Sequence, residues 1–318
     1  MKRIVVAGSI LVDKINAISA YPKAGELTKI KSVRLAVGGC VPNVANDLAI
    51  LGGNEILACG SVGNDEEGEF AINEMRRRGV NTEFVTATEN EKTSFTEVMS
   101  VTGGERTFFT YPGASANFGY DETPLEKMRA DMLHLGYFLL LDKVDAGDGL
   151  RILKRAKELG IKTSIDLVSE NSDKYKIVVP CLKYTDNLIV NEKEASAIAG
   201  EGYSRERLPE ICRKLKEYGV KERVIVHTPE LGACLSEEGY TEVPSFVLPE
   251  GYIKGSTGAG DAFCAGALCG IAEGMSDKEL LTFSAAVAAT SLAEENASDG
   301  IKSREETTEF AKNLRVRS

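Results

Sequence analysis

The sequence predicts an α/β protein, a parallel sheet wrapped by helices, and three observations carry that reading. Short β-branched apolar runs recur along the chain, amphipathic stretches of helical period lie between several of them, and glycines close the helical stretches. The runs are Ile4 to Ala7, Ile56 to Cys59, Met132 to Leu135, Thr163 to Asp166, Leu188 to Val190 and Val224 to His227. The clearest helix is Ser204 to Tyr218, where Leu208, Ile211, Cys212 and Leu215 fall at i, i+3, i+4 and i+7 and Gly219 follows as a stop. Asn43 to Leu51, closed by Gly52-Gly53, and Leu150 to Leu159, closed by Gly160, are of the same kind. In the last third, Ala262 to Ile271 and Lys278 to Ala293 read as Ala-rich helices, the second opened by the capping box Ser276-x-x-Glu279.

Two regions break the rhythm. Ile15 to Val37 and Thr93 to Tyr111 look extended, the latter folded at Val101-Thr102-Gly103-Gly104-Glu105-Arg106, where Gly103-Gly104 suits a two-residue hairpin turn. Strands outside the main sheet would form a small β-lid, whereas edge strands of that sheet are the plainer reading; pattern alone leaves both open.

Bulk composition narrows the function. The 318 residues, 43% hydrophobic and 27% charged, suit one sizeable core. A formal charge of −10 repels nucleic acid and anionic lipid, and Arg76-Arg77-Arg78 before Gly79 reads as charge favourable to a helix C-terminus. We therefore expect no nucleic-acid and no membrane partner. The N-terminal apolar run is too short for a signal peptide, and no apolar stretch reaches ~18 residues. The seven cysteines are scattered without a C-x-x-C pair, as expected of reduced, buried thiols in a cytoplasmic protein. His134 and His227 stand far apart, which leaves little material for a His-based metal site or a Ser-His-Asp triad, although cysteines and carboxylates leave metal binding open.

The chemistry concentrates in Gly255-Ser256-Thr257-Gly258-Ala259-Gly260-Asp261-Ala262-Phe263. Gly258, Ala259 and Gly260 precede the helix beginning near Ala262, so their N–H groups are among those without intrahelical partners. Small side chains let phosphate oxygens approach that backbone, whose partial positive charge stabilises an anion. Asp261, in the first turn, stands beside such an anion and is placed to accept a proton from an attacking hydroxyl. The helix dipole is expected to keep it ionised, a weak base, which suffices because phosphoryl transfer through a loose transition state needs little early deprotonation. A Gly/Ala turn for tight packing, with Asp261 as a helix-start charge, is the structural alternative.

With these residues in view, the chain resembles the PfkB (ribokinase-like) family of small-molecule kinases nearly end to end. Thr257 to Phe263 matches the family's C-terminal signature, which implies Asp261 as catalytic base and Gly258, Ala259 and Gly260 as anion hole. Gly38-Gly39-Cys40-Val41-Pro42-Asn43 resembles the N-terminal signature, and Gly8-Ser9-Ile10-Leu11-Val12-Asp13 the segment whose Asp holds substrate hydroxyls. The resemblance thus implies substrate contacts from Asp13, Gly38, Gly39 and Asn43. Asn191-Glu192-Lys193-Glu194 fits the N-x-x-E motif, which implies Mg²⁺ placement by Asn191 and Glu194 through water. Nucleotide contacts are implied for Asn191, Thr228, Gly232 and Thr257. Read locally, Asn43, Asn191 and Glu194 are helix-capping residues, Asp13 a turn residue and Arg106 a solvated hairpin charge, with reach toward a substrate or phosphate as its other reading.

The resemblance also has gaps. Gly255 stands where many relatives carry an Asp that helps form a monovalent-cation site, so a potassium requirement is not implied. His227-Thr228-Pro229-Glu230-Leu231-Gly232 keeps only the final glycine of the adenine-side segment, and an Asn of the late helix is replaced around Ala285. The family fold is a three-layer α/β/α architecture with a mostly parallel sheet and a small β-lid. Residues 1–318 would be a single kinase domain with lid segments at about 14–37 and 93–111. The expected activity is transfer of the γ-phosphoryl group of ATP, with Mg²⁺, to a hydroxyl of a sugar-like polyol, in a possible homodimer joined through the lid. The rivals are a nucleoside kinase of the same family and a non-catalytic sugar- or nucleoside-binding protein. A Rossmann oxidoreductase lacks its dinucleotide fingerprint.

Overall fold

The computed structural model describes residues 1–101, 106–169, 173–294 and 296–317. Each apolar run of the sequence becomes a strand of one nine-stranded sheet, in the order β13-β12-β11-β10-β9-β8-β1-β4-β5. Its parallel members are β1 (Arg3–Ala7), β4 (Glu55–Gly63), β5 (Asn81–Thr88), β8 (Met132–Phe138), β9 (Lys162–Leu167), β10 (Asn187–Asn191) and β11 (Arg223–His227). The edge strands β12 (Leu231–Ser236) and β13 (Gly239–Pro244) run antiparallel.

Alternation along these strands feeds two cores. Ile4, Val6, Ile56 and Ala58 point into one, with α1 (Cys40–Leu51), α2 (Glu66–Arg77), α9 (Ala259–Glu273), α10 (Asp277–Ser291) and α11 (Arg304–Lys312) packed over it. Val5, Ala7, Leu57 and Cys59 point into the other, covered by α4 (Leu125–Met128), α5 (Gly149–Glu158), α6 (Val179–Leu182), α7 (Glu192–Ala199) and α8 (Leu208–Glu217). Each fully buried Val, Leu or Ile contributes roughly 1.5–3 kcal/mol relative to exposure, which is why strands this apolar need helices on both faces. The three layers are the architecture the sequence predicts. The four apolar positions read at helical spacing, Leu208, Ile211, Cys212 and Leu215, are the buried face of α8. Ser276 caps α10 through the expected box with Glu279.

The two extended regions leave the main sheet. β2 (Leu11–Ile18), β3 (Ile30–Gly38), β6 (Ser94–Val101) and β7 (Arg106–Tyr111) form a separate four-stranded sheet in the order β3-β2-β6-β7, a lid rather than edge strands. β6 and β7 pair antiparallel up to Ser100 and Arg106, while the Gly103-Gly104 turn between them lies outside the described residues. A short helix, α3 (Gly113–Ala116), leads back from the lid. Lys14 of β2 anchors the lid to the body through Glu67 of α2 at 2.9 Å. Near the C-terminus, β14 (Phe246–Val247) pairs with β15 (Arg315–Val316). All seven cysteines are free and buried, and among the described residues no helix is long and apolar enough to cross a membrane.

Candidate active site

Parallel strands deliver their C-terminal ends to one edge of the sheet, the usual place for a ligand in such folds. Gly8, Tyr137, Asp166, Asn191 and His227 all stand at or just past those ends, and α9 begins beside them. Gly258 makes that beginning possible. It holds the N-cap position of α9 with φ 80°, and a Cβ there would lie 2.4 Å from Cβ of Ala297, so no other residue fits without displacing the neighbouring loop. In the first turn, the N–H of Ala259 donates to the Ser256 carbonyl at 3.3 Å, a long bond that an incoming anion can replace.

Asp261 is buried, 7% exposed, and its Oδ2 accepts from Nδ2 of Asn43 at 2.9 Å and from the Tyr137 hydroxyl at 3.0 Å. Burial, reinforced by the nearby Asp166 carboxylate, pushes its pKa up to about 7, against the two hydrogen bonds that favour the charged form. This corrects the expectation that the helix dipole keeps Asp261 at an ordinary low value: desolvation outweighs the dipole. Asn43 is also not an N-cap. Gly39 takes that position, and the Asn43 N–H donates to its carbonyl inside the first turn of α1, freeing the side chain for Asp261.

Asp13 lies on β2, where lid and body meet, with a carboxyl that burial lifts to about 6. It is a strand residue rather than a turn residue. Gly38 is bare because a Cβ there would sit 2.5 Å from Oδ2 of Asp13, and Gly39, at φ 89°, because one would sit 2.6 Å from the Ser9 carbonyl oxygen. Asp13, Gly38, Gly39, Asn43 and Asp261 are therefore gathered around the junction of β2, β3, α1 and α9.

On the other side of Gly260 opens a cavity of about 800 Å³. Asn191, Thr228, His227, Ala259 and Gly260 line its polar end; Phe246, Leu248, Ile253, Ala285 and Leu292 line the apolar remainder. Ala285, Ala288 and Ala289 present methyl groups where the family pattern suggested an amide. The His227 and Phe263 rings lie 5.0 Å apart, tilted at 33°, and burial pushes the His227 pKa down to about 4, so it is neutral. Gly232 is not among the residues lining the cavity; a Cβ there would meet the Phe263 ring at 3.2 Å, so this glycine makes room for that ring.

Asn191 caps α7, accepting from the N–H groups of Lys193 and Glu194, while Glu194 reaches back to the Asn191 N–H at 3.0 Å. Oε1 of Glu194 also accepts from Ser169 Oγ at 2.7 Å and Nδ2 of Asn191 at 2.8 Å. Burial raises Glu194 to about 7. The local capping reading of this pair is correct. Arg106, expected in solvent, instead reaches from β7 to Thr257 Oγ1 at 3.2 Å.

Sequence reasoning missed two members of the site. Tyr137 is hidden in an apolar run, His134 to Leu141, that gives no sign of a polar contact. Asp166 did leave a sign, a charge closing a buried strand, which has few purposes besides a site.

A glycine-bounded helix start facing a buried carboxylate, between a large cavity and a lid, is the arrangement of an enzyme that moves an anionic group onto a hydroxyl. A model of the pfkB family of carbohydrate kinases matches residues 1–304, and the chain belongs to that family. It is a phosphotransferase with an alcohol group as acceptor, a small-molecule kinase of sugars or sugar-like compounds. Ribokinase of Arabidopsis thaliana is 26% identical over 288 residues, covering 90% of this chain and 74% of that protein. Adenosine kinase of Saccharomyces cerevisiae is 26% identical over 280 residues, covering 84% and 80%. Among solved structures, Arabidopsis thaliana ribokinase complexed with ribose and ATP superposes with a TM-score of 0.85 at 24% identity, covering 98% of this chain and 99% of that one. Thermotoga maritima ribokinase superposes with 0.84 at 23% identity, covering 98% and 100%. At those identities the superpositions establish the fold.

Proposed function

We propose that this protein transfers the γ-phosphoryl group of ATP, with Mg²⁺, to a hydroxyl of a sugar held between Asp13 and Asp261. The observation that carries the reading is the position of α9. Its first residues, Ala259 and Gly260, border the 800 Å³ cavity, while Asp261, one residue on, turns to Asn43 and Tyr137 on the lid side. A donor in the cavity and an acceptor under the lid would meet at that turn.

In this reading the acceptor hydroxyl gives its proton to Asp261 as it attacks, and the N–H groups of the Gly258–Gly260 segment receive the charge on the transferred group. Asp13 and Asn43 orient neighbouring hydroxyls, with Gly38 and Gly39 allowing the close approach. Thr228 lines the cavity, and Thr257 would contact the nucleotide from the segment before α9. Mg²⁺ would neutralise phosphate charge, and Asn191 and Glu194 would hold it through water, since their own atoms are already bonded to each other. Arg106 on Thr257 would close the lid over the reacting atoms and exclude water. ADP release should be measured over pentoses, hexoses, keto-sugar acids, inositols and nucleosides. Saturable turnover with a sugar is expected; ATP binding without turnover on any acceptor would favour the non-catalytic reading.

One observation favours a nucleoside acceptor as the second reading. Strand register puts Phe108 on the same lid face as Asp13 and Arg106, 59% exposed, where a base would find a stacking surface. Phe108→Ala would then raise KM for nucleosides while leaving KM for free sugars unchanged. For the assembly, the opposite lid face carries Val33, Leu35 and Phe109, 61%, 46% and 60% exposed, and supports a homodimer in which a second copy covers them.

A further inference from the structure

Tyr137 lies outside the motifs read in the sequence, yet its backbone is unusual and its hydroxyl touches Asp261. Its φ is 59°, in the left-handed region where a bulky aromatic residue is rarely found, and strain of this kind persists where the surroundings over-determine it. Here the surroundings are a buried polar chain. The Tyr137 N–H donates to Oδ1 of Asp166 at 2.6 Å, and Oδ2 of Asp166 lies 3.3 Å from Nε2 of His134. Nδ1 of His134 is 3.0 Å from Ser164 Oγ, and Cys264 Sγ is 3.6 Å from Nε2. Gly136 lets the chain pass: a Cβ there would stand 2.9 Å from Cβ of Cys40 and 3.0 Å from Oδ1 of Asp166. The strained backbone is what sends the ring across the site, so that its hydroxyl meets Oδ2 of Asp261 at 3.0 Å.

We propose that Tyr137 is a positioning residue of the transfer reaction, its hydroxyl fixing the Asp261 carboxylate in the charged, proton-accepting form, with Asp166 and His134 locking Tyr137 in place. The proposal rests on the reading of Asp261 as the base. Groups face Asp261 from every side. α1 presents Asn43, Cys40 and Asp47; β8 presents Tyr137 and His134; β9 presents Asp166; β11 presents His227 beside Gly260; and α9 itself carries Cys264. Burial pushes Cys40, Cys264 and Tyr137 further up and keeps them neutral, it pushes the Asp47 carboxyl up as well, and His227 is neutral. Asp166 is the group that opposes ionisation of Asp261, and Asn43 and Tyr137 are the two that favour it. Removing one favourable donor and removing the opposing charge must therefore move the titration in opposite directions.

The test is the pH profile of kcat at saturating ATP for three variants. Tyr137→Phe keeps the ring and its packing. It should lower kcat by about tenfold or more at neutral pH, leave KM for ATP within about twofold, and move the acid limb to higher pH, because the charged carboxylate loses a donor. Asp166→Asn keeps an oxygen for the Tyr137 N–H and should move the limb to lower pH. If Tyr137→Phe does not fold, 3-fluorotyrosine at position 137 decides: it keeps the ring and makes the hydroxyl a stronger donor, so the limb should move to lower pH, and an unmoved limb overturns the proposal. An Asp261→Asn enzyme without turnover beside a Tyr137→Phe enzyme with normal kcat and an unmoved limb overturns this proposal alone. Normal turnover in Asp261→Asn overturns the base assignment beneath it.

Discussion

A carboxyl group lifted to about 7 is a more competent base at neutral pH than one at its ordinary value, because proton transfer is most effective when the acceptor's pKa lies near the working pH. Burial therefore supplies Asp261 with basicity that its position at a helix start would deny it. The acid limb of kcat/KM should accordingly fall near pH 7 rather than near 4, and a steady-state profile from pH 5 to 9 measures it. Gly258 works at the same scale. With φ 80° and Ala297 at 2.4 Å from any added Cβ, Gly258→Ala forces the loop apart. A loss of about 1–3 kcal/mol in stability, the cost of a strained backbone, is expected in denaturant titration, together with a drop in kcat.

Elements position these residues, and the cap of α7 and the strand β7 are the two most open to test. Asn191→Ala removes the α7 cap and should cost about 0.5–2 kcal/mol by thermal unfolding. If the pair also holds Mg²⁺ through water, the Mg²⁺ concentration for half-maximal rate rises as well. Arg106→Ala cuts the tie from β7 to Thr257, an exposed hydrogen bond of about 0.5–1.5 kcal/mol, so KM for the acceptor should rise roughly 2–10-fold with only a small drop in melting temperature. At this scale the sequence was legible wherever period and local chemistry agreed. α8, α10 and the six apolar strands could be read because burial on both faces leaves an uninterrupted apolar run. The lid could not be told from edge strands, because the parallel pairing of β2 with β6 joins residues about 80 positions apart and leaves no local mark. The site was legible where a motif strips side chains, as at Gly258 and Gly39. It was illegible at Tyr137, whose role comes from a backbone angle and from Asp166, 29 residues on. Gly232 shows a related ambiguity: a glycine sparing room for Phe263 looks the same in sequence as one sparing room for a ligand.

At the scale of the molecule, an exposed apolar lid face is the feature a monomer would have to leave in water. Sedimentation at micromolar concentration should give a dimer, and Phe109→Glu with Val33→Asp should give a monomer. The central claim, that this fold exists to place a buried carboxylate between a donor cavity and a lidded acceptor, is tested most directly on Asp261→Asn, by kcat and melting temperature together. The mutant keeps the hydrogen-bond acceptor for Asn43 and Tyr137 but no base, so kcat should fall by about 10²–10⁴-fold. The folded-state carboxyl lies above its unfolded value, so its favourable contribution is fully present below about pH 3.8 and is lost as pH rises through about 7. Replacing it should therefore raise the melting temperature at pH 8 and leave it nearly unchanged at pH 4. Near-normal turnover with lowered stability at pH 8, the pattern of a helix-start charge without catalytic duty, would contradict the account.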